Sequence, residues 1–309
     1  MFLPNLISLR HPDDYPLSPE DIFSSSFGGA LPNDIQNQHG DDPDTIIVYH
    51  SRKYGDIELR TADVNGEEER RKFAHYLWNA GVLMAELIGG RPSTSEMAEN
   101  LVEEDGADDQ EWWIGEAEGT LWSVRGETVL ELGAGVGLAG IISALSGAER
   151  VSASDYPAPA ILNTIETNIS KNIPGTLKKA IKVEGHEWGI LNTDFASENK
   201  HRFTRILAAD CFWMPHQHEN LARSMSHFLS KSPTARVLCI SGFHTGRARL
   251  ALFFEEVAPE AGLEVELIFE MDADGMRREW QAERDGGKED VGERKKWLVL
   301  AQLRRAGQM

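Results

Sequence analysis

VLELGAGVGLAGIISALSGAERVSASD, running from Val129 to Asp155, decides the fold. Val129 to Leu132 is a short apolar run interrupted by one acid, Glu131, as expected of a buried parallel strand. It turns through Gly133, Ala134, Gly135, Val136 and Gly137 into an apolar helix over Leu138 to Ser146. A second β-rich run, Arg150 to Ser154, follows and ends at Asp155. The glycines permit positive φ and let a ligand come close to the backbone. In open α/β sheets ligands bind at this end of the strands.

The same alternation continues outward. β-rich runs at Ala180 to Glu184, Arg205 to Ala209, Arg236 to Ser241, Glu264 to Glu270 and Lys296 to Leu303 bring the strand count to seven. Helical spacing fills Ala158 to Ile169, Glu219 to Leu229 and Ala248 to Ala258. The pattern predicts an α/β fold, Rossmann-like, with a seven-stranded mainly parallel sheet, helices on both faces and an antiparallel closing pair at one edge. Upstream, residues 1–44 read as an irregular lead-in and 45–309 as one domain. That domain opens with a hairpin (Thr45 to His50 and Asp56 to Arg60) and a helix over Glu67 to Ile88, which carries Trp78. Residues 93–120 hold many acids and no Lys or Arg, so they read as a solvated acidic insertion. The core then spans 128–309.

With 309 residues and 41% hydrophobic content the chain can bury a real core. No run reaches the roughly 18 apolar residues of a membrane span, and Met1 to Arg10 lacks the basic leader of a targeting peptide. Cys211 and Cys239 sit in apolar segments, as core residues of a cytoplasmic protein would. Thirty-one basic residues against 50 acidic give a net charge of −19. Such a surface disfavours nucleic acid and anionic membranes as partners and suits a cationic protein segment or a small neutral or cationic molecule.

Two details of the glycine loop bear on the cofactor. Its spacing is G-x-G-x-G, with Leu138 where a dinucleotide fingerprint needs its third glycine for pyrophosphate packing. S-adenosyl-L-methionine has no phosphate to cradle, so the departure favours it over NAD. Asp155 stands 20 residues after Gly135, where an acid can accept hydrogen bonds from both ribose hydroxyls. Tyr156 beside it offers a flat surface for adenine. The alternative role for Asp155 is to cap the next helix.

These motifs resemble those of the seven-β-strand (class I) S-adenosylmethionine-dependent methyltransferases, in the branch that includes lysine methyltransferases. The match is nearest to the fungal group labelled nicotinamide N-methyltransferase-like, which includes protein N-terminal and lysine N-methyltransferases acting on translation elongation factor 1A. It covers Thr45 to Leu303 and includes YLWNAGVLMAELI (76–88), GHEWG (185–189), AADCFWMPHQHENLARSM (208–225) and SGFHTGRARLALFFEEV (241–257). The resemblance implies that Trp78 covers the cofactor, that Gly133, Ala134 and Gly135 meet its methionine part and that Glu131 orders that end. It places Asp155 on the ribose, Trp188 against adenine and Ala209 on the cofactor wall. Asp210 would position the acceptor nitrogen, and Trp213 would shape its pocket. Many relatives carry tyrosine at that last place, so amine recognition departs from the family pattern at Trp213.

The expected activity is N-methyl transfer to a protein amine, with elongation factor 1A as the implied target. A small-molecule methyltransferase and a non-catalytic module on the same fold stay open as alternatives. An NAD-dependent oxidoreductase is disfavoured by Leu138 and by the lack of a hydride-transfer dyad. His216, His218 and His244 have no companion ligands at metal spacing, so no metal is expected. A helix cap or pocket wall is the expected use of His216 and His244.

Overall fold

The computed structural model describes residues 2–11, 37–40, 44–62, 76–93 and 112–307. Short strands precede the main sheet: β1 (Ile7–Arg10), β2 (Gln38–His39), β3 (Ile46–Ser51), β4 (Gly55–Leu59) and β5 (Leu77–Trp78). The hairpin β3–β4 is present and is extended by β1, giving an antiparallel sheet in the order β1-β3-β4. The lead-in is therefore not wholly irregular. Its β1 pairs Ile7 to Arg10 with Tyr49 to Ile46.

Helix α1 (Asn79–Gly89) begins later than its periodicity suggested. Trp78 is not on the helix but at its N-cap, in β5, which pairs antiparallel with β2. Its backbone is extended there, with φ −95° and ψ 150°. The expected helix start at Glu67 lies outside the described residues, as does most of the acidic stretch, 94–111. The end of that stretch is helix α2 (Glu116–Trp122), whose Glu118 meets Arg277 at 2.6 Å and whose Trp122 is buried.

The main sheet follows: β6 (Thr128–Leu132), α3 (Leu138–Leu145), β7 (Arg150–Asp155), α4 (Pro159–Asn172), β8 (Ile181–Gly185), α5 (Asp194–Glu198), β9 (Arg205–Ala209), α6 (His218–Phe228) and β10 (Arg236–Gly242). Then come α7 (Arg247–Leu252), β11 (Leu263–Asp272), β12 (Arg277–Glu279), α8 (Val291–Lys295) and β13 (Trp297–Arg305). The expected helix over Ala248 to Ala258 is broken by a π turn, Phe253–Val257. Strand order is β12-β11-β13-β10-β9-β6-β7-β8. Strands β6 to β10 pair in parallel, whereas β13 runs antiparallel between β10 and β11. The anticipated Rossmann-like sheet with its antiparallel closing pair is thus present, with β12 as an eighth strand.

Side chains on a strand alternate between faces, and this sorts the core into two halves. Val129, Leu207, Leu238, Ile240, Leu298 and Leu300 face one way, toward Leu83 and Leu87 of α1, Ile141 and Ile142 of α3 and Ile161 and Ile165 of α4. Leu130, Leu132, Ile206, Ala208, Val237 and Val299 face the other, toward Leu221, Met225 and Phe228 of α6 and Leu250 of α7. Each fully buried aliphatic or aromatic side chain contributes about 1.5–3 kcal/mol. A charged cluster closes the antiparallel edge. Glu270 of β11, 0% exposed, accepts from Arg247 at 2.5 and 3.1 Å and from Arg278 at 2.6 Å, while Arg247 also reaches Glu289 at 2.7 Å. Arg278 and Arg284 also reach Glu270, so its buried charge does not depend on Arg247 alone.

Candidate cofactor and acceptor site

Between β6 and β9 the chain order of the sheet reverses, since β7 and β8 lie to one side and β9 and β10 to the other. Crevices at such points are where α/β sheets bind ligands. Here the carboxyl ends of β6 to β9 open into a cavity of about 650 Å³. Every residue nominated for the cofactor or the acceptor lines it, whereas His244 does not. Glu131, Gly133, Ala134 and Gly135 come from β6 and its loop, and Asp155 and Tyr156 from the end of β7. Trp188 follows β8, Ala209, Asp210 and Trp213 stand at and beyond β9, and Trp78 reaches in from β5. His216 is also on the wall, together with Tyr76, His186, Glu187, Cys211 and Met214, which sequence reasoning missed.

The loop after β6 is held by Asp155. Gly135 donates its N–H to Asp155 Oδ2 at 2.7 Å, and Tyr156 donates to Oδ1 at 2.6 Å. The N-cap of α4 is Ala158, which removes the capping role for Asp155. Gly133, Gly135 and Gly137 have φ of +65°, +56° and +79°. At Gly133 glycine is doubly required. A Cβ there would stand 2.9 Å from Cys211 Sγ and 3.2 Å from the Trp188 ring. The backbone thus presents itself bare to the cavity, between a buried thiol and an indole.

Glu131 completes the first turn of α3. The helix has Gly137 at its N-cap with no side-chain cap, and Gly140 N–H instead donates to Glu131 Oε2 at 2.8 Å. Burial pushes the Glu131 carboxyl up to about 8, and nearby Asp155 adds to the rise while the Gly140 bond opposes it.

On the opposite wall Asp210 has φ +57°, a left-handed conformation that costs a non-glycine residue on the order of 1 kcal/mol. Donors from the end of β10 hold it there. Gly242 N–H reaches Oδ1 at 3.1 Å, His244 Nε2 reaches Oδ2 at 2.7 Å, and Asp210 donates its own N–H to Ile240 O at 2.8 Å. The carboxylate only accepts, so the His244 proton in this bond sits on Nε2. The imidazole also meets the edge of Trp78, with ring centroids 4.8 Å apart. His244 was expected to cap a helix or wall a pocket; it braces Asp210 and Trp78.

Beside Trp188, the Ser224 hydroxyl lies 3.0 Å from His186 Nε2 and accepts from Gly189 N–H at 2.8 Å. Burial, with His227 nearby, pushes the His186 imidazole down to about 4, so it is neutral. Its Nδ1 is buried with no partner among the described residues, an orphan a polar ligand can complete. Three carboxylates line the cavity, those of Asp155, Glu187 and Asp210, beside the protonated Glu131 carboxyl, and none of the described lining residues is Lys or Arg. Such a site suits a cation better than a pyrophosphate. Bare glycine backbone, the orphan nitrogen and this charge all fit adenosylmethionine, whose sulfonium and amino groups are positive. Among the described residues no group of three or more His, Cys, Asp or Glu could hold a metal ion, and no helix is long and apolar enough to cross a membrane.

The chain is similar to several known proteins. The sequence profile of the lysine methyltransferase family matches residues 61–259, more than half of the chain. The protein N-terminal and lysine N-methyltransferase of Schizosaccharomyces pombe is 28% identical over 205 residues, covering 64% of this chain and 68% of that protein. The protein of the same name from Gibberella zeae is 27% identical over 211 residues, again covering 64% and 68%. Among solved structures, a SAM-dependent methyltransferase from Aquifex aeolicus overlays 58% of this chain and 82% of that one, with a TM-score of 0.41 and 15% identity.

Proposed function

The chain belongs to the lysine methyltransferase family and is a SAM-dependent methyltransferase; from that premise we propose that it methylates a protein amine, a lysine side chain or an N-terminus. The cavity carries this reading. Its three carboxylates, Asp155, Glu187 and Asp210, with no Lys or Arg among the described lining residues, suit a cationic cofactor and a cationic acceptor together. Elongation factor 1A is the first target to test, on the strength of the motif resemblance. The methyltransferase unit is 45–309, with 1–44 as a lead-in that lends β1. The setting is cytoplasmic, in keeping with two buried free cysteines. The partner is protein rather than nucleic acid or membrane, in keeping with the acidic balance.

When bound, S-adenosylmethionine supplies an activated methyl group on sulfur for in-line displacement. The residues of the chain then align and desolvate. Asp155 ties the glycine loop and accepts from the ribose. Glu131, Gly133, Ala134 and Gly135 frame the methionine end. Trp188, Tyr156 and Ala209 line the adenine side, and Trp78 covers the mouth. Asp210 has room for a further donor beyond His244, Gly242 and the longer contact from Ser241, because a carboxylate offers about four lone-pair sites. It therefore draws in the acceptor ammonium and orients its nitrogen. The rings of Trp78 and Trp213 exclude water there and work against the hold of Asp210 on the ammonium, so the amine gives its proton to solvent as it enters, before transfer.

The test is incubation of the protein with labelled adenosylmethionine and cell lysate, dividing label between precipitable protein and soluble metabolites. Label confined to metabolites sinks the protein-acceptor reading, and cofactor binding with no label anywhere points to a non-catalytic module. Trp213→Ala is expected to keep cofactor affinity within about threefold and to lower turnover at least about tenfold, since it removes wall only on the acceptor side. Loss of folding in that variant would assign Trp213 to the core instead.

A further inference from the structure

The end of β10 is built around His244 in a way the methyl-transfer chemistry does not by itself demand. A Cβ at Gly242 would lie 2.9 Å from His244 Nε2, so glycine at 242 makes the space in which the imidazole sits. From there His244 bonds Asp210 Oδ2 at 2.7 Å and presses on Trp78, both of which line the cavity. Its side chain remains 30% exposed, so it exchanges protons with water, while Asp210 is 7% exposed.

We propose that His244 is a positioning residue for the acceptor amine: its Nε2–H holds the Asp210 carboxylate at the cavity wall, and a second proton on the imidazole cancels the negative charge a cationic acceptor would meet there. This rests on the reading of Asp210 as the acceptor's partner. Neutral His244 leaves Asp210 oriented and fully charged. Protonated His244 leaves it oriented and paired.

Among the described residues the charges around the imidazole are few. From the loop after β9 comes Asp210. From α7, Arg247 has its guanidinium committed to Glu270 and Glu289. From β5 the neighbour is the uncharged Trp78 ring, which in turn meets Tyr76. Burial alone would lower the His244 pKa, but the Asp210 charge and hydrogen bond outweigh it and raise the pKa above 6.5. Proton and acceptor cation therefore compete for one carboxylate, and acceptor binding strengthens as pH rises through the His244 titration.

The competition can be read without knowing the protein substrate. Histidine-labelled protein loaded with S-adenosylhomocysteine is titrated by NMR with and without n-butylammonium, a lysine side-chain probe, and His244→Gln identifies the His244 signal. Butylammonium is expected to lower the His244 pKa by about one unit, equivalent to a roughly tenfold gain in probe affinity from the acid to the alkaline side of the titration. His244→Gln, which keeps an N–H donor and does not titrate, is expected to flatten that gain to less than about twofold. In Asp210→Asn the His244 pKa should fall back and ignore the probe. A His244 pKa unmoved by butylammonium, or unchanged in Asp210→Asn, overturns the inference. A protein that labels nothing in lysate refutes the functional reading instead, and the two failures are separate.

Discussion

Gly133→Ala tests the geometry of the glycine loop most directly. The residue has φ +65°, and moving an L-residue into the left-handed region costs about 1–2 kcal/mol. The new methyl would also stand 2.9 Å from Cys211 Sγ and 3.2 Å from the Trp188 ring. Neither neighbour yields freely. Cys211 is 3% exposed and donates its S–H to Leu132 O at 3.0 Å, and Trp188 packs on the core beneath the cavity. Overpacking of this kind costs about 1–3 kcal/mol. The variant should therefore lose about 2–5 kcal/mol in urea denaturation, the sum of those two costs. In calorimetry its adenosylmethionine affinity should fall at least about tenfold, the effect of roughly 1.4 kcal/mol, because the displaced indole is part of the cavity wall. A double-mutant cycle separates the two contributions. In a Cys211→Ala background the methyl has space on the thiol side, and the cost of Gly133→Ala should shrink toward the backbone part, about 1–2 kcal/mol. Equal costs in both backgrounds would show that the Sγ contact plays no part. A total cost under about 0.5 kcal/mol would refute the whole argument, since surface changes of no consequence fall in that range.

Two further outcomes follow from the same wall. Asp155→Ala should weaken cofactor binding about 10- to 100-fold in calorimetry, because a hydrogen bond to a charged group is worth roughly 1.5–3 kcal/mol and Gly135 N–H loses its acceptor as well; unchanged affinity would remove Asp155 from the site. Glu131, raised from 4.5 to about 8 in the fold, holds its proton where the unfolded chain releases it, so its contribution to stability is full below about 4.5 and is lost as pH rises to about 8. Glu131→Gln should accordingly gain in Tm relative to the parent between those limits, and a pH-independent Tm difference would contradict the buried-acid assignment.

The fold was legible in sequence because its strands are buried on both faces and read as apolar runs separated by helical spacing. Strand β12, Arg277–Glu279, carries no apolar residue and sits at the sheet edge, so periodicity could not reveal it. Trp78 was misplaced for a related reason. The helical stripe of α1 continues smoothly through Leu77, while the extended backbone at 78 is fixed by pairing with β2, a contact across 40 residues that no local pattern carries. The cavity residues were legible where a backbone rule demanded them, as at Gly133 and Asp155. The partnership of His244 with Asp210 was not. One signal was present: Gly242, two residues before His244, marks a place where something presses close to the strand end. Its partner lies 34 residues away in sequence and meets it only once β9 and β10 have paired.

That β13 lies between β10 and β11 has a consequence for a chain made from its N-terminus. Strands β11 and β12 are synthesised before the strand that joins them to the sheet exists. Until residues 297–305 emerge, β10 presents an unpaired row of N–H and C=O groups flanked by Val237, Leu238, Cys239 and Ile240, an edge open to another nascent chain. Before residues 297–305 are available, β10 therefore lacks the partner it has in the finished sheet. Completion of the sheet is an insertion of β13 between β10 and β11 rather than an addition at its rim, and an exposed β10 edge is the kind of surface that chaperones protect.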